Sequence, residues 1–392
     1  PQIVPICKNC MELNEQKRRQ SCDLSGCTAL VTGGRIRIGF EIVLSLLRAG
    51  AKVVLTTRFP YDAYSRLYRQ DDFNNWKDNV HIYGLDLRDL GGLQAFIRHV
   101  SHHYRSLNFL INNAAQTVHR PPAYYRPLAQ REIKLHDKLR TSRKLPRLVK
   151  SFIHSQIDIQ NSLAYSFNLP VTPHNRPASS SQLAMTPVLP TDHIDRSRAA
   201  EYFPRGKKDE HGEPIDLRPK QSWNASIGEI HPIEFLEVQT VNATAPSLLI
   251  SGLTMCLSSG TFRNDYRAYS HVINVTSPEG QFSAPKNGFH VHTNMAKASL
   301  NMLTHSVAEQ MKQSKILVNS VDTGWVTSMT PAALHNDNTK QAPLSPADGA
   351  ARVLDPIYSM EIEYHRAKQQ GTSCNVTPRC GLLFRNFKEA AW

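Results

Sequence analysis

Apolar positions in this chain come in short, separated runs. CTALVT (27–32) has strand length, FEIVLSLLRAG (40–50) carries its apolar residues at helical spacing beyond a glycine-containing turn, and AKVVLTT (51–57) returns to an unbroken run. VHIYGLD (80–86), LGGLQAFIRHVSHHY (90–104) and LNFLIN (107–112) repeat the strand, helix, strand order. The rhythm resumes with a long helix in PIEFLEVQTVNATAPSLLISGLTM (232–255), a strand in HVINVT (271–276), a helix in TNMAKASLNMLTHSVAEQM (293–311) and a strand in KILVNSV (315–321). A shorter helix in ADGAARVLDPIYS (347–359) and a last edge strand in GLLF (381–384) close it. Unbroken apolar strands are buried on both faces, and their alternation with helices predicts an α/β fold: a Rossmann-like, doubly wound parallel sheet.

Between Thr117 and Ser222 the rhythm stops. Pattern alone therefore divides the chain into a cysteine-containing extension (1–26), a first half of the sheet domain (27–116), a basic, proline-rich insertion (117–222), a second half (223–360) and a tail (361–392). Within the insertion, REIKLHDKLRTSRKLPRLVKSFIHS (131–155) reads as a basic helix and VTPHNRPASSSQLAMTPVLP (171–190) as linker or loop. The insertion holds 18 Lys and Arg against 10 Asp and Glu, most of the formal net charge of +13. A connection this long points to function, and its charge to an anionic partner. Nucleic acid is one candidate, through LHDKLRTSRKLPRLVK with Tyr124 and Tyr125 as stacking residues; a protein partner or a merely solvated loop are the others.

Four of the seven cysteines fall in the first 27 residues. Cys7 and Cys10 form a CxxC pair, and with Cys22 and Cys27 they offer four thiolates to a tetrahedral zinc; the competing reading makes Cys27 a buried residue of the first strand. An odd cysteine count in a chain of this size suits a reducing compartment. No apolar run reaches the roughly 18 residues of a membrane span, so a soluble, intracellular protein is expected. A chain opening on Pro1 rather than Met is expected to be processed, which keeps organelles, mitochondria included, beside the cytoplasm.

Candidate chemistry begins at TGGRIRIG, where Gly33, Gly34 and Gly39 lie between the first strand and the first helix. Glycine there lets backbone approach a pyrophosphate, and the helix N-terminus favours its charge. NAD sites carry an acidic residue at the end of the second strand; this chain has Thr57 and Arg58, with Arg35 and Arg37 inside the turn. Guanidinium groups suit a 2′-phosphate, so NADP(H) is the expected cofactor.

In chain order, TGGRIRIG, LDLRD, NNAA, VNATAP, INVTS, TNMAKAS and VNSVDTGWVT resemble the motifs of short-chain dehydrogenases/reductases, over roughly 27–116 and 223–330. The resemblance implies contacts from Asp86 and Leu87 to the adenine, from Asn113 and Ala114 to its ribose, and from Thr327 to the nicotinamide carboxamide. It implies hydride transfer to or from a carbonyl or hydroxyl group of a small-molecule substrate. Asn242 would position a relay water, Ser277 would orient the substrate oxygen, and Lys297 would hold the ribose and tune the acid. Relatives pair through the helices bearing Asn242 and Lys297, which implies a homodimer. The chain departs from the pattern at Arg37, in place of the middle glycine, at Ala115 and Thr323, and above all at Thr293, where YxxxK would have its tyrosine. A threonine hydroxyl is a poor proton donor near neutral pH, which turns attention to His292 and His290 as acid/base, or as a metal-binding HxH. The alternative is a catalytically degenerate member serving as a structural or binding subunit of a larger assembly.

Overall fold

The computed structural model describes residues 2–3, 5–141, 179–261, 268–327, 331–334, 340–372 and 377–392. The unbroken apolar runs become β1 (Thr28–Thr32), β2 (Lys52–Thr57), β3 (Val80–Gly84), β4 (Phe109–Asn112), β5 (Ser270–Thr276), β6 (Ile316–Asp322) and β7 (Leu383–Arg385). With β8 (Lys388–Ala390) they form one sheet in the order β3-β2-β1-β4-β5-β6-β7-β8, parallel except for the β7–β8 hairpin. This is the doubly wound topology, whose strand order reverses between β1 and β4 and opens a crevice at their carboxyl ends.

Helices cover both faces. On one, α2 (Arg37–Arg48) and α9 (Pro346–Gln369) bury Ile42, Val43 and Leu46 with Val353, Leu354 and Ile357. On the other lie α4 (Leu90–His103), α7 (Ala245–Thr261) and α8 (Val291–Gln313), packed through Phe96, Val100, Leu249, Leu253 and Met311. α4 and α7 approach so closely that a Cβ on Gly252 would come within 2.5 Å of Ile97. α6 (Pro232–Gln239) joins α7 through one π-helical turn, Thr240–Thr244. The resulting 29-residue run Pro232–Gly260 is longer than the sequence pattern suggests and apolar enough, by length and composition, to cross a membrane; more than half of its apolar window is buried inside this fold, as in a core helix.

Three expectations need correction. α1 (Lys8–Arg19), which is polar around most of its surface, lies against α9 through Lys17–Asp355, Arg18–Asp348 and a hydrogen bond from Arg352 to Asn14. This leaves Cys7 and Cys10 at the surface, while the following loop carries Cys27 into the core beside Leu24. The four cysteines do not converge, and among the described residues no group of three or more His, Cys, Asp or Glu could hold a metal ion, so the zinc reading of Cys7, Cys10, Cys22 and Cys27, and the HxH metal reading, are not supported. Second, GLLF is not the edge: Leu383 and Phe384 are buried in β7, and β8 follows after a tight turn with Asn386 and Phe387 at positive φ. Third, residues 179–190 are packed rather than linker-like. Ser179 closes a capping box on the one-turn helix Ser180–Leu183, and Ala184 joins Phe59, Tyr124, Tyr125, Leu128 and Phe203 in a small apolar cluster. The basic helix is seen as α5 (Pro122–Thr141) up to residue 141; the remainder of that run, and residues 171–178, lie outside the described residues.

Candidate active site

β1 ends in Thr32, and its backbone must turn sharply to start α2. Gly33 takes φ +71°, and a Cβ there would stand 3.0 Å from the Ala114 Cα; one on Gly39 would stand 2.2 Å from the Gly33 carbonyl oxygen. Only glycine fits either position. The turn is braced from β4: Asn113 Nδ2 donates to the Thr32 and Gly33 carbonyls (3.0 and 3.3 Å), and the Ala114 N–H donates to Thr32 Oγ1 (3.0 Å). Arg37 holds the left-handed conformation, φ +53°, that the missing glycine would adopt freely. The result is a backbone-lined concavity at a helix N-terminus, which fits a pyrophosphate.

The arginines around it are not all turned toward that concavity. Arg35 is buried, with Nη1 donating to Asp62 and Glu213 (2.8 Å each) and Nη2 to Glu213 (2.5 Å). Arg37 donates to Asp209 (2.8 Å). Arg58, just past β2, stacks on the Tyr125 ring at 4.7 Å and donates to its hydroxyl (3.2 Å). Asp86 receives the Arg88 guanidinium on both carboxylate oxygens (2.8–3.2 Å). Burial would raise the Asp86 carboxyl, but the Arg88 hydrogen bond and the charges of Arg58 and Arg88 hold it below its usual range. Leu87 beside it is buried. Thr327 follows β6 as the last described residue before a gap.

At the other end of the crevice, the π turn aims Asn242 at the chain leaving β4. Its Oδ1 accepts from the Gln116 N–H and its Nδ2 donates to the Gln116 carbonyl, both at 2.7 Å. One residue on, the Thr117 carbonyl accepts from His292 Nε2 (3.0 Å) and from Thr293 Oγ1 (3.4 Å), both in the first turn of α8. One helical turn further, Lys297 donates to the Val275 carbonyl (2.8 Å), two residues before Ser277 at the end of β5. Gly280 lets the Ser277 turn close on α8, since a Cβ there would meet the Lys297 carbonyl carbon at 2.6 Å. Asn242, His292 and Thr293 are thus tied through the Gln116–Thr117 backbone, while Lys297 is tied separately to the strand that leads to Ser277.

Electrostatics distinguish these groups. Burial pushes the Lys297 amine down to about 8, against the pull of Glu279 and Asp322. Burial also lowers His292, outweighing Glu234 and the Thr117 hydrogen bond, so its imidazole is neutral at pH 7. With Nε2 donating to Thr117, the buried Nδ1 carries a lone pair that meets no hydrogen-bond partner among the described residues. His290 stands apart: it caps α8 at φ +41°, stacks on Trp223 at 4.0 Å and bonds the Trp223 carbonyl.

A second polar cluster was not anticipated from sequence. His119 bridges Glu237 (Nδ1, 2.6 Å) and Asp192 (Nε2, 2.8 Å); Glu237 also accepts from Gln116 Nε2 (3.0 Å) and Arg88 (2.8 Å). Burial opposes charge on His119, but hydrogen bonds to Asp192 and Glu237 outweigh it and raise the imidazolium to about 9. The network joins Asp86, just past β3, to Gln116, whose backbone is held by Asn242. Its sequence signal was Glu234 and Glu237, one helical turn apart on an otherwise apolar helix.

Comparisons with known proteins bear on the family and the fold. The short chain dehydrogenase family model matches residues 27–131, and a model described as Enoyl-(Acyl carrier protein) reductase matches 219–352. An uncharacterized protein of Acanthamoeba polyphaga mimivirus is 26% identical over 374 residues, 91% of this chain and 68% of that protein. The (+)-neomenthol dehydrogenase of Capsicum annuum is 31% identical over 87 residues, 22% of this chain and 28% of that protein. Among solved structures, the carbonyl reductase Sniffer of D. melanogaster aligns with a TM-score of 0.53 at 16% identity, covering 94% of this chain and all (100%) of that one. A short-chain dehydrogenase/reductase from Burkholderia multivorans with bound NADP aligns at 0.50 and 13% identity, covering 93% and 99%. At these identities the structural likeness shows the fold.

Proposed function

The chain belongs to the short-chain dehydrogenase/reductase superfamily, and from that premise we propose that it is an NADP(H)-dependent oxidoreductase interconverting a carbonyl and a hydroxyl group, with His292 in the role the missing tyrosine would play. The observation that carries this reading is the run of hydrogen bonds from Asn242 through the Gln116 and Thr117 backbone to His292, whose buried Nδ1 meets no hydrogen-bond partner among the described residues. When bound, the nicotinamide supplies or accepts the hydride. The glycine turn would hold the pyrophosphate, Asn113 and Ala114 the adenine ribose, and Arg58 the 2′-phosphate in place of its stack on Tyr125. Lys297, its amine lowered by burial to about 8, would hold the nicotinamide ribose in place of the Val275 carbonyl.

Ser277 holds the substrate oxygen. In the oxidation direction the hydroxyl proton passes to His292 Nδ1 as the carbon loses its hydride; in reduction the same nitrogen returns the proton to the carbonyl oxygen. The likeness to a carbonyl reductase and to a protein with bound NADP supports the cofactor and reaction class without naming the substrate.

Fluorescence titration with NADPH and NADH tests the reading on the parent chain, Arg58→Ala and Lys297→Ala. NADPH should bind more tightly than NADH, Arg58→Ala should erase that preference, and Lys297→Ala should weaken both nucleotides. Failure of the parent and of both variants to bind either nucleotide would overturn it.

A further inference from the structure

The glycine turn carries two arginines, and each is held by a carboxylate of the insertion more than 170 residues away: Arg35 by Glu213 and Arg37 by Asp209. The two carboxylates belong to one compact turn. Asp209 Oδ1 accepts from the His211 and Glu213 N–H groups (2.9 Å each), and the Asp209 N–H donates to the Glu213 carbonyl (2.9 Å). The other oxygen, Oδ2, is the one that reaches Arg37. Arg66 clamps the turn from the side, donating to the His211 carbonyl (2.8 Å) and to Glu213 (3.2 Å). Nearby, the insertion touches the cofactor end twice more: Ser180 donates to the Arg58 carbonyl (2.9 Å), and Arg88 donates to the Leu183 carbonyl (3.2 Å).

Carboxylate and phosphate compete for the same planar guanidinium fork. We infer that the turn 209–213 is an autoinhibitory contact, an internal anion that occupies the glycine-turn arginines until a nucleotide carrying a 2′-phosphate displaces it. The inference rests on the proposed use of NADP(H). The two pairs differ in how readily they yield. Arg35 is buried and keeps Asp62 if Glu213 leaves, whereas Arg37 and Asp209 remain 32% and 28% exposed, so their pair is solvent-screened and easily exchanged for a dianionic phosphate. Release of Asp209 then loosens the turn that presents Glu213.

Asp209→Asn separates charge from structure, because an amide oxygen can still accept from His211 and Glu213 while no longer neutralising Arg37. In the full chain this variant should melt within a degree or two of the parent and bind NADPH about two- to fivefold more tightly, the scale of an exposed ion pair, with a smaller change for NADH. Hydrogen exchange provides a second readout: NADPH should speed exchange at residues 209–213 more than NADH does. If the parent binds NADPH and Asp209→Asn binds it equally or more weakly, or if exchange in the turn ignores the nucleotide, the contact is structural and the inference fails while the oxidoreductase reading stands. Absence of NADPH binding by both chains would overturn both.

Discussion

Residue 293 shows how much a single side chain decides. Thr293 is 1% exposed and sits where a phenol would be the family's acid/base, so the proposed reaction needs another group to carry the proton. If His292 is that group, His292→Asn should lower kcat by about 10²- to 10⁴-fold, the usual worth of a general acid/base, with NADPH affinity unchanged. The pH profile separates this from a packing defect. Burial holds His292 below its ordinary value of 6.5, so the oxidation rate should be flat above neutrality and fall only in acid; that acid limb should vanish in the variant. Gly39 makes the opposite point, since its contribution is the absence of a side chain. Gly39→Ala places a Cβ 2.2 Å from the Gly33 oxygen and should cost about 3 kcal/mol in urea denaturation, the upper end of overpacking penalties, with loss of nucleotide binding.

Among the elements, those whose side chains are buried on both faces were legible, because burial writes itself into the sequence as an unbroken apolar run. β1 to β6 fall into this class, and α2, α4, α7 and α8 were legible from apolar residues at helical spacing, whereas the helix Pro60–Leu67 between β2 and β3 was not. α1 was not legible: its anchors are Lys17–Asp355 and Arg18–Asp348, pairings across more than 300 residues that no local period encodes. The cysteine spacing suggested zinc, whereas the apolar run that Cys27 opens carried the competing reading, a buried residue, and that is where the structure puts it. The motif residues Asn242, Ser277 and Lys297 could be located by order and spacing, whereas the partners of His119 lie 73 and 118 residues away and had to be seen in space. The π turn is the element on which the site hinges, because it sets Asn242 against both backbone groups of Gln116. Asn242→Ala leaves an N–H and a C=O without partners and should destabilise the fold by about 2–4 kcal/mol, measurable in urea; Asn242→Asp, which keeps the acceptor for the Gln116 N–H but sets a buried carboxylate oxygen against the Gln116 carbonyl, should not recover it.

At the scale of the molecule, the insertion is drawn onto the sheet domain by charge as much as by apolar contact, and the His119 cluster is the deepest of those ties. Glu237 belongs to α6, while His119 and Asp192 lie 73 residues apart within the insertion, so one imidazolium locks three separate stretches of chain. Around it, Arg88 also serves Glu237, Arg218 donates to the His119 carbonyl, and Glu234 accepts from the His119 N–H. Because folding raises His119 from 6.5 to about 9, the native state holds a proton that the unfolded chain has released; the stability this supplies is complete below 6.5 and is lost as pH rises through 9. Two other buried groups bracket the useful window. Glu132, raised by burial to about 7, acts with the same sign, and Lys297, lowered by burial to about 8, with the opposite sign, so across pH 7 to 8 their contributions roughly offset each other. Between pH 7 and 8, therefore, stability from urea denaturation should fall by about 1 kcal/mol, the linkage slope for one proton. In His119→Gln that slope should flatten while overall stability drops, since a neutral amide leaves Glu237 and Asp192 facing each other across the same buried gap; a parent chain whose stability is level from pH 7 to 8 would mean that the imidazole is neutral and the three parts are held by something other than its charge.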